Sequence, residues 1–261
     1  MIEQILIVDT ETTALETDKG QVIEVGAILY SVKHQTVIQQ VSTLFPAPHN
    51  PAEHINRIKP EPLQEMKAEV AKLGILMMLK MAQMAEFVVA HNADFDSKWF
   101  GQSGNGKIVL PALVDASGQP HRWLCTCSDF EWPRQTRQGQ SLVELLALAH
   151  GIGVCSVHRA LTDCLLIAAL LTNMEDLQDM FAKALRPKAI FKALVSYEER
   201  ELAKQAGFKW YPERKAWERK MTVEDARELA FPVKQTRGTM SNSAENYDKD
   251  AIPLQQIHRH Q

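Results

Sequence analysis

Four consecutive apolar residues, Ile5-Leu6-Ile7-Val8, run straight into Asp9 and Glu11. Such a run predicts a strand buried on both faces, and residues two apart on a strand share a face. A hydrophobic strand therefore delivers two carboxylates to one spot. Held that close, they repel and raise each other's pKa unless a cation lies between them. A divalent metal with oxygen ligands is the simplest resolution. Taken alone, Asp-x-Glu fits equally well a strand that runs out into a solvated acidic turn, so the rest of the chain must decide.

The length of 261 residues suits one ordinary domain plus a small unit, or two modest domains. With 45% apolar and 23% charged residues the composition is that of a soluble globular protein. A net charge of −3 neither favours nor excludes nucleic acid. Cys125, Cys127, Cys155 and Cys164 lack zinc-site spacing and are expected as reduced packing thiols in a cytoplasmic protein. Glu3 and Gln4 stand where a secretory leader would be basic. The apolar run from Leu73 to Leu79 is too short to span a bilayer, so no membrane partner is expected.

Along the chain, 21–30 and 36–45 read as two further strands joined by a hairpin-length link. From about Pro62 to Met84 a helix is predicted, with Leu63, Met66, Val70, Leu73, Met77 and Met81 on its buried face. Phe87–Ala90 is a short buried strand, and Asn92 is the expected N-cap of a following helix. Helical periodicity returns at Ser141–His150 and at Arg159–Thr172, the latter nearly all apolar and hence buried. Between Lys183 and Lys220 eleven Lys/Arg stand against five Asp/Glu, which places a boundary near 185–188. The expected units are 1–185, a small basic α+β module at 186–233 and a disordered tail at 234–261. Within the module, Glu198–Gln205 and Thr222–Leu229 read as helices, Thr222 being a cap.

Three acidic islands stand out: Asp9/Glu11, Asp96 and His158/Asp163. His158 and Asp163 are five apart, roughly 140° round a helix axis. They can serve one site only if His158 lies in the lead-in loop and Asp163 in the helix. Otherwise His158 is an ordinary capping or surface histidine and Asp163 a satisfied core polar residue. A carboxylate buried without a partner is costly, so Asp163 is the harder to dismiss.

Together, Asp9-Thr10-Glu11-Thr12-Thr13 with Ile23-Glu24-Val25-Gly26, His91-Asn92-Ala93-Asp94-Phe95-Asp96 and His158-Arg159-Ala160-Leu161-Thr162-Asp163 resemble the motifs of the DEDDh 3′–5′ exonucleases, the DnaQ-like family. Trp123–Thr126 and Ser141-Leu142 also look like family positions. The resemblance covers about Ile2 to Thr172 and departs at Ala14, where the family commonly has Gly. It implies an α/β, RNase H-like fold: a mixed five-stranded sheet flanked by helices, with three leading antiparallel strands. It implies that Asp9, Glu11, Asp96 and Asp163 hold two divalent ions, Mg²⁺ or Mn²⁺, with His158 as general base. Thr10, Thr12, Leu15, His91 and Asn92 would bind the terminal nucleotide, the first three through backbone donors and apolar contact. The implied function is 3′–5′ removal of nucleotides from single-stranded or 3′-ended DNA, alongside a polymerase or a replication or repair partner. RNA 3′-end trimming and an idle nucleic-acid-binding accessory are the alternatives.

The basic module lies outside the family pattern. Lys209, Trp210, Arg214, Lys215 and Trp217 interleave aromatics with cations, as single-strand binders do. The same residues fit a small domain with a Trp core and a solvated basic face.

Overall fold

The run Ile5–Val8 forms the middle of β1 (Gln4–Thr12) in the computed structural model, which describes residues 1–101, 110–135, 139–142, 149–153 and 158–236. β1 pairs antiparallel with β2 (Val22–Ser31), and β2 pairs antiparallel with β3 (Thr36–Leu44). On its other edge β1 pairs parallel with β4 (Phe87–Ala90), and β4 pairs parallel with β5 (Trp123–Cys125). The order is β3-β2-β1-β4-β5, a mixed five-stranded sheet with three leading antiparallel strands, as expected.

Both faces of this sheet are covered, which is why β1 carries a continuous apolar run instead of an alternating one. Ile5, Ile7, Ile28 and Tyr30 pack with Ile167, Leu170 and Leu171 of the helix over Ala160–Thr172 and Phe181 of the helix over Leu177–Ala184. Leu6, Val8, Val25 and Leu29 pack on the opposite side with Met78, Met81, Trp99 and Phe100. Each such fully buried side chain contributes roughly 1.5–3 kcal/mol relative to exposure. The first three helices are α1 (Glu53–Asn56), α2 (Pro60–Gln64) and α3 (Ala68–Ala82), and α4 (Ala93–Asp96) runs on into a 3₁₀ turn over Ser97–Trp99. α5 is Ala160–Thr172 and α6 is Leu177–Ala184.

The single helix expected over 62–84 is two, broken where Lys67 is extended. The break resets the register, and the expected residues divide: Leu63 and Met81 are buried, and the middle of the series is not. Val70, Leu73 and Met77 are exposed, whereas Ala71, Met78, Met81 and Ala82 face the sheet. Small residues decide this: Gly74 lies directly on Thr43, so α3 approaches β3 along its Ala71–Gly74 side. Most of the helix expected over 141–150 lies outside the described residues.

A second sheet follows, built from β6 (Ala189–Ala193), β7 (Lys209–Tyr211), β8 (Ala216–Met221) and β9 (Val233–Gln235), with α7 (Arg200–Gln205) and α8 (Val223–Arg227). Its order is β7-β8-β6-β9. Thr222 caps α8 in a reciprocal capping box with Asp225, as its position predicts. Lys234 and Gln235, expected in the tail, belong instead to β9, which pairs with β6 and covers the edge that β6 would otherwise expose. The remainder of that expected tail, 237–261, lies outside the described residues. Phe191, Phe208 and Met221 form a core of their own here.

Candidate active site

The carboxyl ends of β1 and β4 lie side by side, because those strands are parallel neighbours. β1 ends with Asp9 and Glu11, and β4 leads through His91 and Asn92 into α4, which ends at Asp96. Asp96 is 1% exposed. Its Oδ1 accepts the Thr10 backbone N–H at 2.9 Å and the Thr10 hydroxyl at 2.7 Å. Thr10 thus fixes Asp96, and its N–H is not free for a nucleotide as expected. Asp94 is exposed, in keeping with its separation from the acidic set.

α5 brings the third island. Its Cys164 thiol contacts the Ile7 and Gly26 carbonyls at 3.8 and 3.4 Å, so the helix lies flat on β1 and β2. A Cβ on Gly26 would collide with the Leu161 nitrogen and the Ala160 carbonyl, so only glycine permits this approach. Asp163 lies in the first turn of α5, and His158 sits two residues before the helix with φ 61°. This is the loop-and-helix division that the spacing demanded. One ligand atom each from Glu11, His158 and Asp163 lies within 4.8 Å of the others. Asp9 and Asp96 stand outside that tightest group but act on it electrostatically.

The electrostatics are those of unpaired like charges. Burial first, then Asp96, Asp163 and Glu11, holds the Asp9 carboxyl well above the usual carboxylate range. Burial and Asp163 push Glu11 up to about 8. Burial raises Asp96 to about 7 against the opposing Thr10 hydrogen bonds. Burial also raises Asp163, with His158 opposing. An all-carboxylate cluster with one imidazole, unwilling to ionise by itself, fits a hard divalent cation.

Glu24 has a role that motif reading missed. It is buried directly across from Glu11 in register. Its carboxylate takes Arg159 Nε at 2.8 Å and a second guanidinium nitrogen at 2.9 Å. It also accepts the Ala160 N–H at 3.2 Å and the Ser42 hydroxyl at 3.0 Å. No side chain of α5's own N-cap serves its first turn, so Glu24 caps the helix from the neighbouring strand and ties down the segment that carries His158. An acid inside the apolar run Val22–Tyr30 was the available signal.

Asn92 does not cap α4 with its side chain. It adopts φ 72°, ψ 50°, and its carbonyl accepts the Phe95 N–H at 2.8 Å. Asparagine tolerates this left-handed conformation, which turns the chain abruptly off β4. His91 Nδ1 lies 2.8 Å from the Thr126 hydroxyl and Nε2 lies 3.0 Å from the Cys127 thiol, and burial lowers its pKa to about 4. The ring is thereby engaged at both nitrogens, and Cys127 does more than pack. Leu15 is 71% exposed near the end of β1, and Thr12 bonds the Ala14 carbonyl.

The second sheet is fastened to the first beside β5. Lys188, just before β6, gives its ammonium to Asp129 Oδ1 at 3.0 Å, the Asp129 carbonyl at 3.3 Å and the Ala184 carbonyl at 2.8 Å. Asp129 Oδ2 accepts the Cys125 N–H at 2.8 Å. Of the expected nucleic-acid residues, Trp217 leans on the module core and Trp210, 48% exposed, sits against it across β7 and β8. Arg214 stacks on Tyr211 at 4.1 Å and pairs with Glu218 at 3.1 Å. Lys209 and Lys215 are exposed. No helix among the described residues is long and apolar enough to cross a membrane.

Residues 189–236 match a family described as a domain of unknown function, DUF8626. No curated protein matches the chain. Exonuclease X in complex with 5′-overhanging duplex DNA is 26% identical, with TM-score 0.45 over 69% of this chain and 99% of that one. E. coli exonuclease I, in a zinc-bound complex with single-stranded DNA, is 14% identical, with TM-score 0.52 over 90% of this chain. The match spans 63% of exonuclease I, less than two thirds of it. The nuclease domain of 3′hExo, a DEDDh family member bound to rAMP, is 18% identical, with TM-score 0.50 over 68% of this chain and 93% of that one. The last two likenesses are of fold alone: the five-stranded sheet and its flanking helices have the RNase H-like fold.

Proposed function

We propose that this protein is a metal-dependent 3′–5′ exonuclease that removes nucleotides from the 3′ end of DNA. The observation that carries the reading is the convergence of Asp9, Glu11, Asp96 and Asp163, from three separated stretches, with His158 beside them and Glu11 held at about 8. Carboxylates so reluctant to ionise are suited to share divalent cations, Mg²⁺ or Mn²⁺, with Asp9, Glu11, Asp96 and Asp163 as ligands. When bound, such ions supply Lewis acidity at the phosphoryl oxygens and at the leaving 3′ oxygen. The chain's own residues do the rest. Thr10 orients Asp96. Glu24 and Arg159 hold the start of α5, so that His158, on its exposed loop, can accept a proton from an attacking water. Leu15, exposed beside the site, offers apolar contact to a terminal base. Residues 1–185 form the nuclease unit in this reading, and the basic module from 186 holds substrate.

Titration of Mg²⁺ and Mn²⁺ with 5′-labelled DNA and RNA of matched sequence tests it. A ladder shortening from the 3′ end, faster on DNA and abolished by chelator, is expected. Release of the 5′ label as first product, or hydrolysis without metal, overturns it, and faster shortening of RNA makes the enzyme an RNA trimmer.

A further inference from the structure

The module's sheet has two different faces. Cross-strand register places Trp210 opposite Trp217, and alternation puts both with Met221 on the core side. Lys209 pairs with Glu218 and Tyr211 with Ala216, so these residues and Lys220 occupy the other side. That side meets the nuclease sheet. Lys220 reaches Asp129 at 3.9 Å, and a methyl group on Gly139 would lie 3.7 Å from Lys209 Cε and 3.9 Å from its Nζ. Gly139 in turn donates its N–H to the Cys127 carbonyl at 3.2 Å, and the Lys209 charge acts on the Cys127 thiol.

A chain of contacts therefore runs from the acidic site to the hairpin: Thr10 to Asp96 on α4, His91 just before α4 to Thr126 and Cys127, and Cys127 through Gly139 to Lys209. Adjacent strands lie about 4.8 Å apart, so β1 to β5 spans roughly 10 Å, and Lys209 lies beyond β5, across Cys127 and Gly139. That is about three to four stacked nucleotides at roughly 3.4 Å each. The buried Lys188–Asp129 pair fixes the orientation of the face.

We propose that Lys209, with Tyr211 and the Arg214 guanidinium stacked on it, is the outer wall of a channel that holds a single nucleic-acid strand three to four nucleotides upstream of its 3′ end. The proposal rests on the nuclease reading for its polarity. It assigns the contact to the body-facing side of the hairpin and leaves Trp210 and Trp217 out of it. It also makes the module part of the cleft, so substrate length should matter in one step near four nucleotides.

Full-length Lys209→Gln, compared with the unaltered protein on dT2, dT4, dT6, dT12 and dT30 with Mg²⁺, tests this. The ratio of kcat/KM for dT6 to that for dT2 should fall about tenfold, with no further loss from dT12 to dT30. A loss that keeps growing to dT30 describes a remote tether and overturns the channel, as does an unchanged ratio. Binding of fluorescein-labelled dT6 to the full chain carrying Asp9→Asn gives a second readout that needs no cleavage. Adding Lys209→Gln should weaken it five- to tenfold and lower the salt slope by about one. An unchanged Kd, or no binding of dT6, overturns the channel and leaves the face to a protein partner. Lys209-dependent binding by a chain that cleaves nothing under any metal sustains the channel and removes the nuclease reading instead.

Discussion

Two regions of the molecule bury charge, and they treat it in opposite ways. At the seam between the sheets, the Lys188 and Asp129 side chains are 7% and 3% exposed, and both are fully engaged. At the end of β1, Asp9, Glu11, Asp96 and Asp163 face one another, and among the described residues the basic groups that act on them are Arg159, which Glu24 already holds, and His158 beside Asp163. The first arrangement is complete as folded and locks two units together. The second lacks a matching countercharge, and its carboxyls are pushed above the usual carboxylate range. A satisfied pair is a structural fastening, whereas a frustrated cluster maintained by the fold points to a ligand.

The contrast can be broken most forcefully at the cluster. Asp9→Asn or Asp163→Asn should reduce metal-dependent hydrolysis to background while raising the melting temperature of the metal-free protein, since each relieves repulsion. Calorimetry in chelator beside an activity assay checks both signs, and a lower melting temperature would mean the acids are structurally paired after all.

His158→Ala should slow turnover by roughly 10²–10⁴-fold, the usual scale for a lost general base. The metal concentration giving half-maximal rate should change little. A large shift in that concentration would make His158 a ligand, a role its 4.8 Å grouping with Glu11 and Asp163 also permits.

At the seam the opposite sign is expected. Lys188→Ala should destabilise the protein by about 1–3 kcal/mol, because it leaves a buried carboxylate to the Cys125 N–H and the more distant Lys220. The double change with Asp129→Ala should cost less than the sum of the two, measured by denaturant unfolding. Strict additivity would show the pair to be uncoupled.

The smallest effect separates the regions by pH. The Glu11 carboxyl is raised from 4.5 to about 8, so the folded state holds a proton that the unfolded chain releases. Stability is therefore fully present below about 4.5 and is lost as pH rises towards 8. Saturating Mg²⁺ should flatten that decline, so the metal-induced rise in melting temperature should grow by a few degrees between pH 5 and pH 8. A metal effect independent of pH would argue against binding at the raised carboxyls.

Much of this protein was determined by its sequence alone. The apolar run before Asp9, the two strands after it, the buried α5 and the placement of His158 ahead of Asp163 all follow from local periodicity and spacing. So does the helix cap at Thr222. The sequence was silent where a choice depended on a distant partner. Nothing local says that α3 approaches β3 through Ala71 and Gly74, and its nearly all-round apolar surface leaves Val70, Leu73 and Met77 as well suited to the core as Ala71 and Met78. Nothing local says that Glu24 caps α5 from 136 residues away, or that Thr10 serves Asp96. The hairpin shows the limit most plainly. Aromatics and cations alternate in its sequence, but only pairing across β7 and β8, and the Lys188–Asp129 fastening, turn Lys209 toward the site and the tryptophans away from it. Alternation sorts side chains into two faces, and only packing against the rest of the molecule decides which face meets the site.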